Sequence, residues 1–160
     1  MPASKTASHA NHDDAISLLT EDHKKVKKLF KSYEQCSKKD DVEGKLDIAR
    51  QIFEELTIHT MIEEEIFYPA ARAAIKDDDM LNEAKVEHAT AKDLIAQLEE
   101  MDGDDPLYDA KITVLSEYID HHVKEEESEM FPKAKKAKMD LEGLGVQMLE
   151  RKEELTTAIA

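Results

Sequence analysis

The sequence predicts an all-α protein built from two helical hairpins, on three observations. Glycine and proline are scarce, with four of each in 160 residues, and no alternating run of β-branched residues indicates a strand. Leu, Ala, Lys, Glu and Met dominate, and these residues favour helices. An eleven-residue pattern occurs twice, each time after an earlier lone histidine. This length is enough for one domain with a single core.

The first predicted helix places a histidine on its apolar face. This helix begins near the Asp13–Asp14 cap and runs to about Lys38. Apolar residues recur every three or four positions along it, and His23 takes one position of this stripe. A histidine at a core position needs a partner, which is the first indication of a site.

The second predicted helix runs from about Val42 to the mid-70s and carries the first copy of the pattern, His59–Pro69. Because Pro69 lacks an N–H group, we expect the helix to kink or end there. The predicted stripe of this helix is Ala49, Ile52, Leu56, His59, Glu63, Ile66 and Ala70.

The third predicted helix spans roughly Asp79 to Met101, with His88 on its apolar stripe. It follows an acidic cap at Asp77–Asp79, where carboxylates complement the helix dipole. Asp102–Pro106 indicates a turn, and it lacks the spaced ligands of a calcium loop.

The fourth predicted helix runs from about Pro106, which suits its first turn, to about Lys136. It carries the second copy of the pattern, His122–Pro132, with the histidine and the first glutamate on the stripe. A last amphipathic segment, about Leu141–Thr157, is expected to pack on the bundle as an accessory helix.

Both copies read H-x-x-x-E-E-x-x-[FM]-[YF]-P. On a helix, a histidine and a glutamate four residues apart share one face, with Cβ atoms about 5–6 Å apart. That separation lets both side chains bind one metal centre. With the two lone histidines, the predicted ligand set is His23, His59, Glu63, His88, His122 and Glu126.

Burying these six residues without partners would be costly, since an unpartnered buried polar group costs about 1–3 kcal/mol. Two arrangements avoid the cost. In one, the glutamates accept hydrogen bonds from the histidines as a buried polar layer; in the other, which we favour, all six bind metal. Without a thiolate, structural zinc and iron–sulfur clusters are disfavoured, whereas iron, manganese or zinc suits imidazole and carboxylate.

Six ligands are too many for one tetrahedral ion but suit two ions, each held by two histidines, with both glutamates bridging. This arrangement leaves positions for an oxo or hydroxo bridge and a small external ligand. Two iron ions are the favoured occupants, with manganese or zinc less favoured. A mononuclear site that uses fewer of the residues is the alternative.

Polar residues beside the six are predicted to have other roles. Glu64 and Glu127 point about 100° away from the stripe, which favours solvated positions. Tyr118 is expected to pack. Asp22 and Glu87 precede two histidines, but adjacent helix positions do not face each other, so the sequence does not favour them as partners of those histidines.

The repeated motif with its preceding histidines resembles the hemerythrin-like HHE cation-binding family, over residues from about 14 to 136. The resemblance implies an up-down-up-down four-helix bundle that holds a non-haem di-iron centre on the same six residues. Oxygen-carrying hemerythrins have a further histidine where this chain has Ala84. The remaining set is closer to repair-of-iron-centres proteins, whose N-terminal cysteine has no counterpart in residues 1–13.

Composition limits the other function classes. A formal net charge of -15 opposes nucleic-acid binding, which relies on neutralising phosphates. No segment approaches the roughly 20 apolar residues of a membrane span, and none resembles a signal peptide. The lone Cys36 cannot form an internal disulfide, so a cytoplasmic location is expected.

We expect three regions along the chain. Residues 1–12 form a flexible tail in which His9 and His12 are solvated, residues 13–137 form the bundle, and residues 138–160 form the accessory helix and a tail.

Three functions fit these predictions. The first is a di-iron protein that binds oxygen, nitric oxide or peroxide for sensing, iron handling or stress response. The second is a di-iron enzyme acting on the same small molecules, or an iron donor for repair of iron–sulfur centres. The third is an interaction bundle whose His/Glu layer only sets helix register, with an unknown protein partner.

Overall fold

The protein, described by a computed structural model over residues 14–159, consists of helices joined by short turns and contains no strand within that range. The predicted all-α bundle with an added C-terminal helix is confirmed. No helix among these residues is both long and apolar enough to cross a membrane. In chain order the elements are α1 (Ala15–Lys38), α2 (Val42–Ile62), the π-helical turn π1 (Glu63–Phe67), α3 (Tyr68–Ile75), α4 (Asp78–Glu99), α5 (Tyr108–Glu125), the π-helical turn π2 (Glu126–Met130), α6 (Phe131–Lys136) and α7 (Leu141–Ile159).

Aspartates cap the bundle helices where the sequence predicted them. The Asp14 carboxylate accepts from the backbone N–H of Ile16 at 2.8 Å, and Asp77 accepts from Met80 at 3.3 Å. These contacts satisfy backbone donors that have no partner inside the helix. The fourth bundle helix begins at Tyr108, close to the expected start at about Pro106, but the proline lies in the preceding turn and not in the first turn of the helix.

Both copies of the repeated motif contain a π-helical turn that begins at the motif's first glutamate. The backbone N–H of Tyr68 donates to the carbonyl of Glu63, and Phe131 donates to Glu126 in the same way, five residues apart. A proline directly follows each donor and cannot supply the next regular helical hydrogen bond. Such wide turns occur often at functional sites.

The turn π1 changes which residues face the core. We expected Ile66 and Ala70 on the buried stripe, but both are only partly buried. Phe67 and Ala71 are fully buried instead, because the extra residue of the π turn advances the helix face by one position. The helix does not end at Pro69, since α3 continues through it, and the irregularity expected around this proline takes the form of the π turn just before it.

The apolar core consists of two clusters. One joins α1, α2, α3, α4, α6 and α7, and includes Leu19, Ile62 and Phe67. The other joins α1, α2, α4 and α5, and includes Ile52 and Leu115. Along α1, His23 lies between the residues of the first cluster and those of the second.

The helix α7 packs on the bundle through Met148 and Leu155, which belong to the first cluster. Met148 is fully buried and Leu155 is 8% exposed. Its contacts run mainly to α1 and α2. The C-terminal helix therefore covers the side of the bundle formed by the first helical hairpin.

Candidate metal centre

The structure brings together the six side chains predicted as metal ligands. Each is buried, with between 0% and 8% of its surface exposed. The six are His23 of α1, His59 of α2, Glu63 at the start of π1, His88 of α4, His122 of α5 and Glu126 at the start of π2.

The two glutamates lie between two pairs of histidines. The pairs are His23 with His59 and His88 with His122. Each oxygen of Glu126 approaches a different pair: Oε1 is 3.1 Å from Nε2 of His23, and Oε2 is 3.1 Å from Nε2 of His122. Glu63 Oε1 lies 3.2 Å from Nε2 of His59 and 3.1 Å from Nε2 of His88. Each carboxylate therefore lies between a histidine of one pair and a histidine of the other.

Two groups of ligand atoms are each compact enough for one ion. His23, His59, Glu63 and Glu126 offer atoms that all lie within 4.8 Å of one another. The atoms of Glu63, His88 and His122 form a second such group. The shared glutamate joins the two groups into one candidate dinuclear centre.

The outer nitrogen of every histidine in the centre contacts a carboxylate. Two of these carboxylates belong to Glu64 and Glu127, which we expected to be solvated. Glu64 lies 2.7 Å from Nδ1 of His88, and Glu127 lies 2.7 Å from Nδ1 of His23. Both side chains remain partly exposed, at 32% for Glu64 and 41% for Glu127, as expected for positions off the stripe. The expectation missed that each carboxylate also reaches the histidine of a neighbouring helix.

Asp22 and Glu87 provide the other two contacts. Asp22 lies 2.9 Å from Nδ1 of His59, and Glu87 lies 2.7 Å from Nδ1 of His122. The expectation that they do not face the histidines adjacent to them in sequence was sound, but they orient histidines of the other helix in each hairpin. Interhelical geometry was needed to see this.

These outer contacts set the direction of the imidazole lone pairs. A carboxylate at Nδ1 favours the tautomer with the proton on Nδ1, which leaves the Nε2 lone pair directed inward. The inward atoms of His23 and His59, with one oxygen each of Glu63 and Glu126, are buried without a hydrogen-bond partner among the described residues. Buried acceptors that converge in this way require a cation or a proton between them, so the donor set fits a metal centre.

The pKa values of the buried histidines and glutamates also favour a bound cation. Burial by itself would lower the pKa of His59, but Glu63 and Asp22 outweigh it and raise that pKa to about 10. Burial opposes the charged form of Glu63 as well, yet the histidines hold the pKa of its carboxyl well below the ordinary value. Burial would also lower the pKa of His122, but Glu126 and other carboxylates outweigh it and hold that pKa well above the ordinary value. Protons on His59 and His122 can therefore balance the buried carboxylates, and a divalent cation can replace them.

Tyr68 is a residue of the centre that the sequence analysis did not identify. Its hydroxyl donates to Oε2 of Glu126 at 2.5 Å, and its oxygen lies 3.2 Å from Oε1 of Glu63. The same oxygen is 3.2 and 3.1 Å from Nε2 of His88 and His122. Burial and the two carboxylates raise the pKa of this phenol well above its ordinary value.

The motif position before each proline was the available signal for Tyr68. We considered Tyr118 instead and expected it to pack, but 42% of Tyr118 is exposed, so that expectation is wrong. Tyr118 lies one helical turn before His122, but that spacing alone does not place both side chains in the core. The π turn is what brings Tyr68 to the face of the bundle occupied by Glu63.

Two lysines extend the network outward. Lys152 of α7 lies 2.6 Å from Oδ1 of Asp22, which is only 4% exposed. Lys92 of α4 lies 2.8 Å from Oε1 of Glu64. Through Lys152, the C-terminal helix contacts the carboxylate that orients His59.

The remaining histidines stand apart from the buried centre. His121 is on the surface, 3.0 Å from Glu125 and 3.7 Å from the second oxygen of Glu87. His9 and His12 lie outside the described residues.

Two known proteins are similar to this chain in sequence or fold. A protein named DNA nickase from Nostoc sp. is 29% identical over 121 residues, which are 76% of this chain but 32% of that protein. The chain thus spans about a third of that relative's length. A crystal structure of a hemerythrin HHE cation binding domain-containing protein from Mycobacterium kansasii has a TM-score of 0.73 and 26% identity, and the match covers 91% of this chain and 88% of that one.

The sequence profile of one family matches most of the bundle. The profile describes the hemerythrin HHE cation binding domain and matches residues 14–134. The match ends before α7. It covers the two helical hairpins and both repeated motifs. The chain belongs to the hemerythrin HHE cation-binding family.

Proposed function

We propose that this protein is a non-haem di-iron protein that binds iron and a small ligand, namely oxygen, nitric oxide or peroxide, for sensing, iron handling or stress response. The observation that supports it most is the set of four inward Nε2 atoms around two buried carboxylates, each ring held by an outer carboxylate. Two bound iron ions would supply redox equivalents and open positions for the small ligand.

The side chains have separable tasks in this proposal. Glu63 and Glu126 would hold the ions together with the two pairs of histidines. The outer carboxylates fix ring orientation and increase the basicity of the imidazoles. Burial excludes bulk water from the centre, which strengthens the electrostatic interactions inside it.

The proposal predicts that iron binding depends on the buried histidines. Replacing His59 and His122 by leucine removes one inward nitrogen from each half-site, so we expect the iron content to fall from two ions per chain towards zero. Replacing the exposed His121 by leucine is the matched control and should leave the content unchanged. Metal analysis after anaerobic ferrous loading measures both.

A rise in thermal midpoint of the double variant, with no iron bound even to the unmodified protein, would contradict the proposal. Such a result is expected if the layer is only structural, because replacing a buried polar layer by apolar residues often stabilises a protein. An optical titration of the ferrous protein with oxygen then separates roles. A new band that vanishes on degassing supports reversible binding, and a band that persists supports oxidation chemistry.

A second candidate is a di-iron enzyme acting on peroxide, oxygen or nitric oxide. Tyr68 favours it, since a buried hydroxyl that contacts both glutamates can deliver a proton to a ligand held between them. A role as iron donor in repair of iron–sulfur centres has no such residue in its favour.

We do not extend the name of the Nostoc relative to this chain. The match covers about a third of that protein, and the net charge of -15 opposes binding to phosphates. We propose that the partner is a small molecule rather than a nucleic acid or a membrane, and that the protein acts in the cytoplasm.

A further inference from the structure

A groove between α1 and α5 leads to one end of the candidate centre. Its volume is about 460 Å³ and its lining includes both His23 and the carboxylate bound to it, Glu127. Val26 and Phe30 form part of an apolar wall. Ser116, half-buried on α5, lies on the opposite side. The groove therefore connects solvent with the outer edge of the His23 side of the centre.

The two halves of the chain differ at the position that opens this groove. Ser116 lies six residues before His122, and the corresponding residue before His59 is Phe53. Phe53 is 7% exposed and belongs to a core cluster that also contains Ala91 of α4. In the first half a large aromatic ring thus takes the place that a small hydroxyl side chain takes in the second.

The outer carboxylates Glu64 and Glu127 also differ between the two seams, because in the part of the chain that the structure describes a lysine holds only the first. Glu64 is held by Lys92, four residues after His88. The corresponding lysine, Lys27, lies four residues after His23 and lines the groove, but within the described range no lysine or arginine pairs with Glu127. The side chain of Glu127 is 41% exposed. One seam of the bundle is therefore closed by a ring and an ion pair, and the other is open.

From this asymmetry we infer that the α1–α5 groove is the route by which the small ligand, a diatomic gas or peroxide, reaches the centre on its His23 side. The inference rests on the proposed di-iron function. Apolar walls suit a neutral diatomic molecule, and Glu127 at the inner end is not held by a lysine as Glu64 is. At the opposite seam, between α2 and α4, the buried ring of Phe53 takes the position of Ser116, and Lys92 holds Glu64.

The test is to block the α1–α5 groove with the side chain that occupies the corresponding position between α2 and α4. Ser116→Phe introduces the residue that the first half carries at this position, and Val114→Phe adds the same ring at an exposed position of α5 that does not line the groove. Each protein is loaded with ferrous iron, its iron content is measured, and its association rate with nitric oxide is followed by stopped-flow absorbance. We expect Ser116→Phe to slow association about tenfold, because the ligand must then wait for side-chain and helix motions, and Val114→Phe to leave the rate unchanged.

Equal rates for Ser116→Phe and the unmodified protein, at equal iron content, would overturn the route while leaving the di-iron proposal intact. An unmodified protein that takes up no iron would overturn both. If the phenylalanine lowers iron content, Ser116→Leu fills the same space with less bulk, and the two outcomes are judged on that variant.

Discussion

At the scale of single residues, the centre depends on contacts that cross between helices. Each histidine is oriented by a carboxylate from another helix, and none by its neighbour in sequence. The identity of the six inward residues followed from their spacing along single helices. Their outer partners did not, because the side-chain direction on one helix says nothing about which residues of a second helix come within reach.

Tyr68 gives a prediction at this scale. Replacing Tyr68 by phenylalanine removes the hydroxyl while preserving the buried ring, so iron content should change little. If the hydroxyl delivers a proton, the rate of peroxide turnover by the loaded protein should fall by about 10²-fold, within the usual range for general acid catalysis. Steady-state kinetics and metal analysis on the same sample measure both quantities.

The control for Tyr68→Phe is Tyr118→Phe, which removes an exposed hydroxyl two residues beyond Ser116 on α5. Turnover unchanged in both variants would show that Tyr68 is a packing residue of the centre and would weaken the enzyme alternative.

At the scale of elements, the π-helical turns link the repeated motif to the centre. Both begin at a buried glutamate of the candidate centre, Glu63 or Glu126, and each widens the helix where the two carboxylates face the same space. The regular period of an α-helix would have buried Ile66 and Ala70, whereas the structure buries Phe67 and Ala71. Proline position indicated an irregular helix, but periodicity alone could not distinguish a kink from an inserted residue.

The C-terminal helix gives the prediction at the element scale. Lys152 neutralises the buried Asp22, which orients His59. Replacing Lys152 by methionine keeps most of the aliphatic stem and removes the charge, so Asp22 loses its cation and holds His59 less firmly. We expect iron affinity to fall, but by less than the roughly 10- to 100-fold usual when the outer partner of a ligand is itself lost, because Asp22 remains in place.

Competition with a chelator measures this affinity. The matched control is Arg151→Met, which removes the surface ion pair with Glu65 at 2.8 Å and leaves Asp22 untouched. An equal loss of affinity in both variants would mean that α7 acts only through overall packing.

At the scale of the whole molecule, apolar packing lies on both sides of the polar layer. The two clusters share α1, α2 and α4, so the bundle has a core that does not depend on metal. The centre adds stability only when occupied, because a ligand that binds the folded state alone shifts the unfolding equilibrium.

Metal removal is therefore expected to lower the thermal midpoint without abolishing the fold. A ligand at 100 times its dissociation constant adds about 2.7 kcal/mol to the free energy of unfolding, and the metal-free protein should lose that contribution while keeping its helical circular dichroism. Thermal melts with ferrous iron and with a chelator measure the difference. Complete loss of helicity on chelation would show that the two clusters cannot hold the bundle alone.

The sequence by itself determined the all-α fold and the positions and spacing of the six inward residues, because both follow from the helical period and from the cost of burying polar groups. Tertiary structure alone decided the outer carboxylates, the place of Tyr68, the contact of Lys152 with Asp22, and the open seam beside Ser116. These features arise from how one helix faces another and from π turns that change the helical register. Periodicity along a single segment carries no information on either.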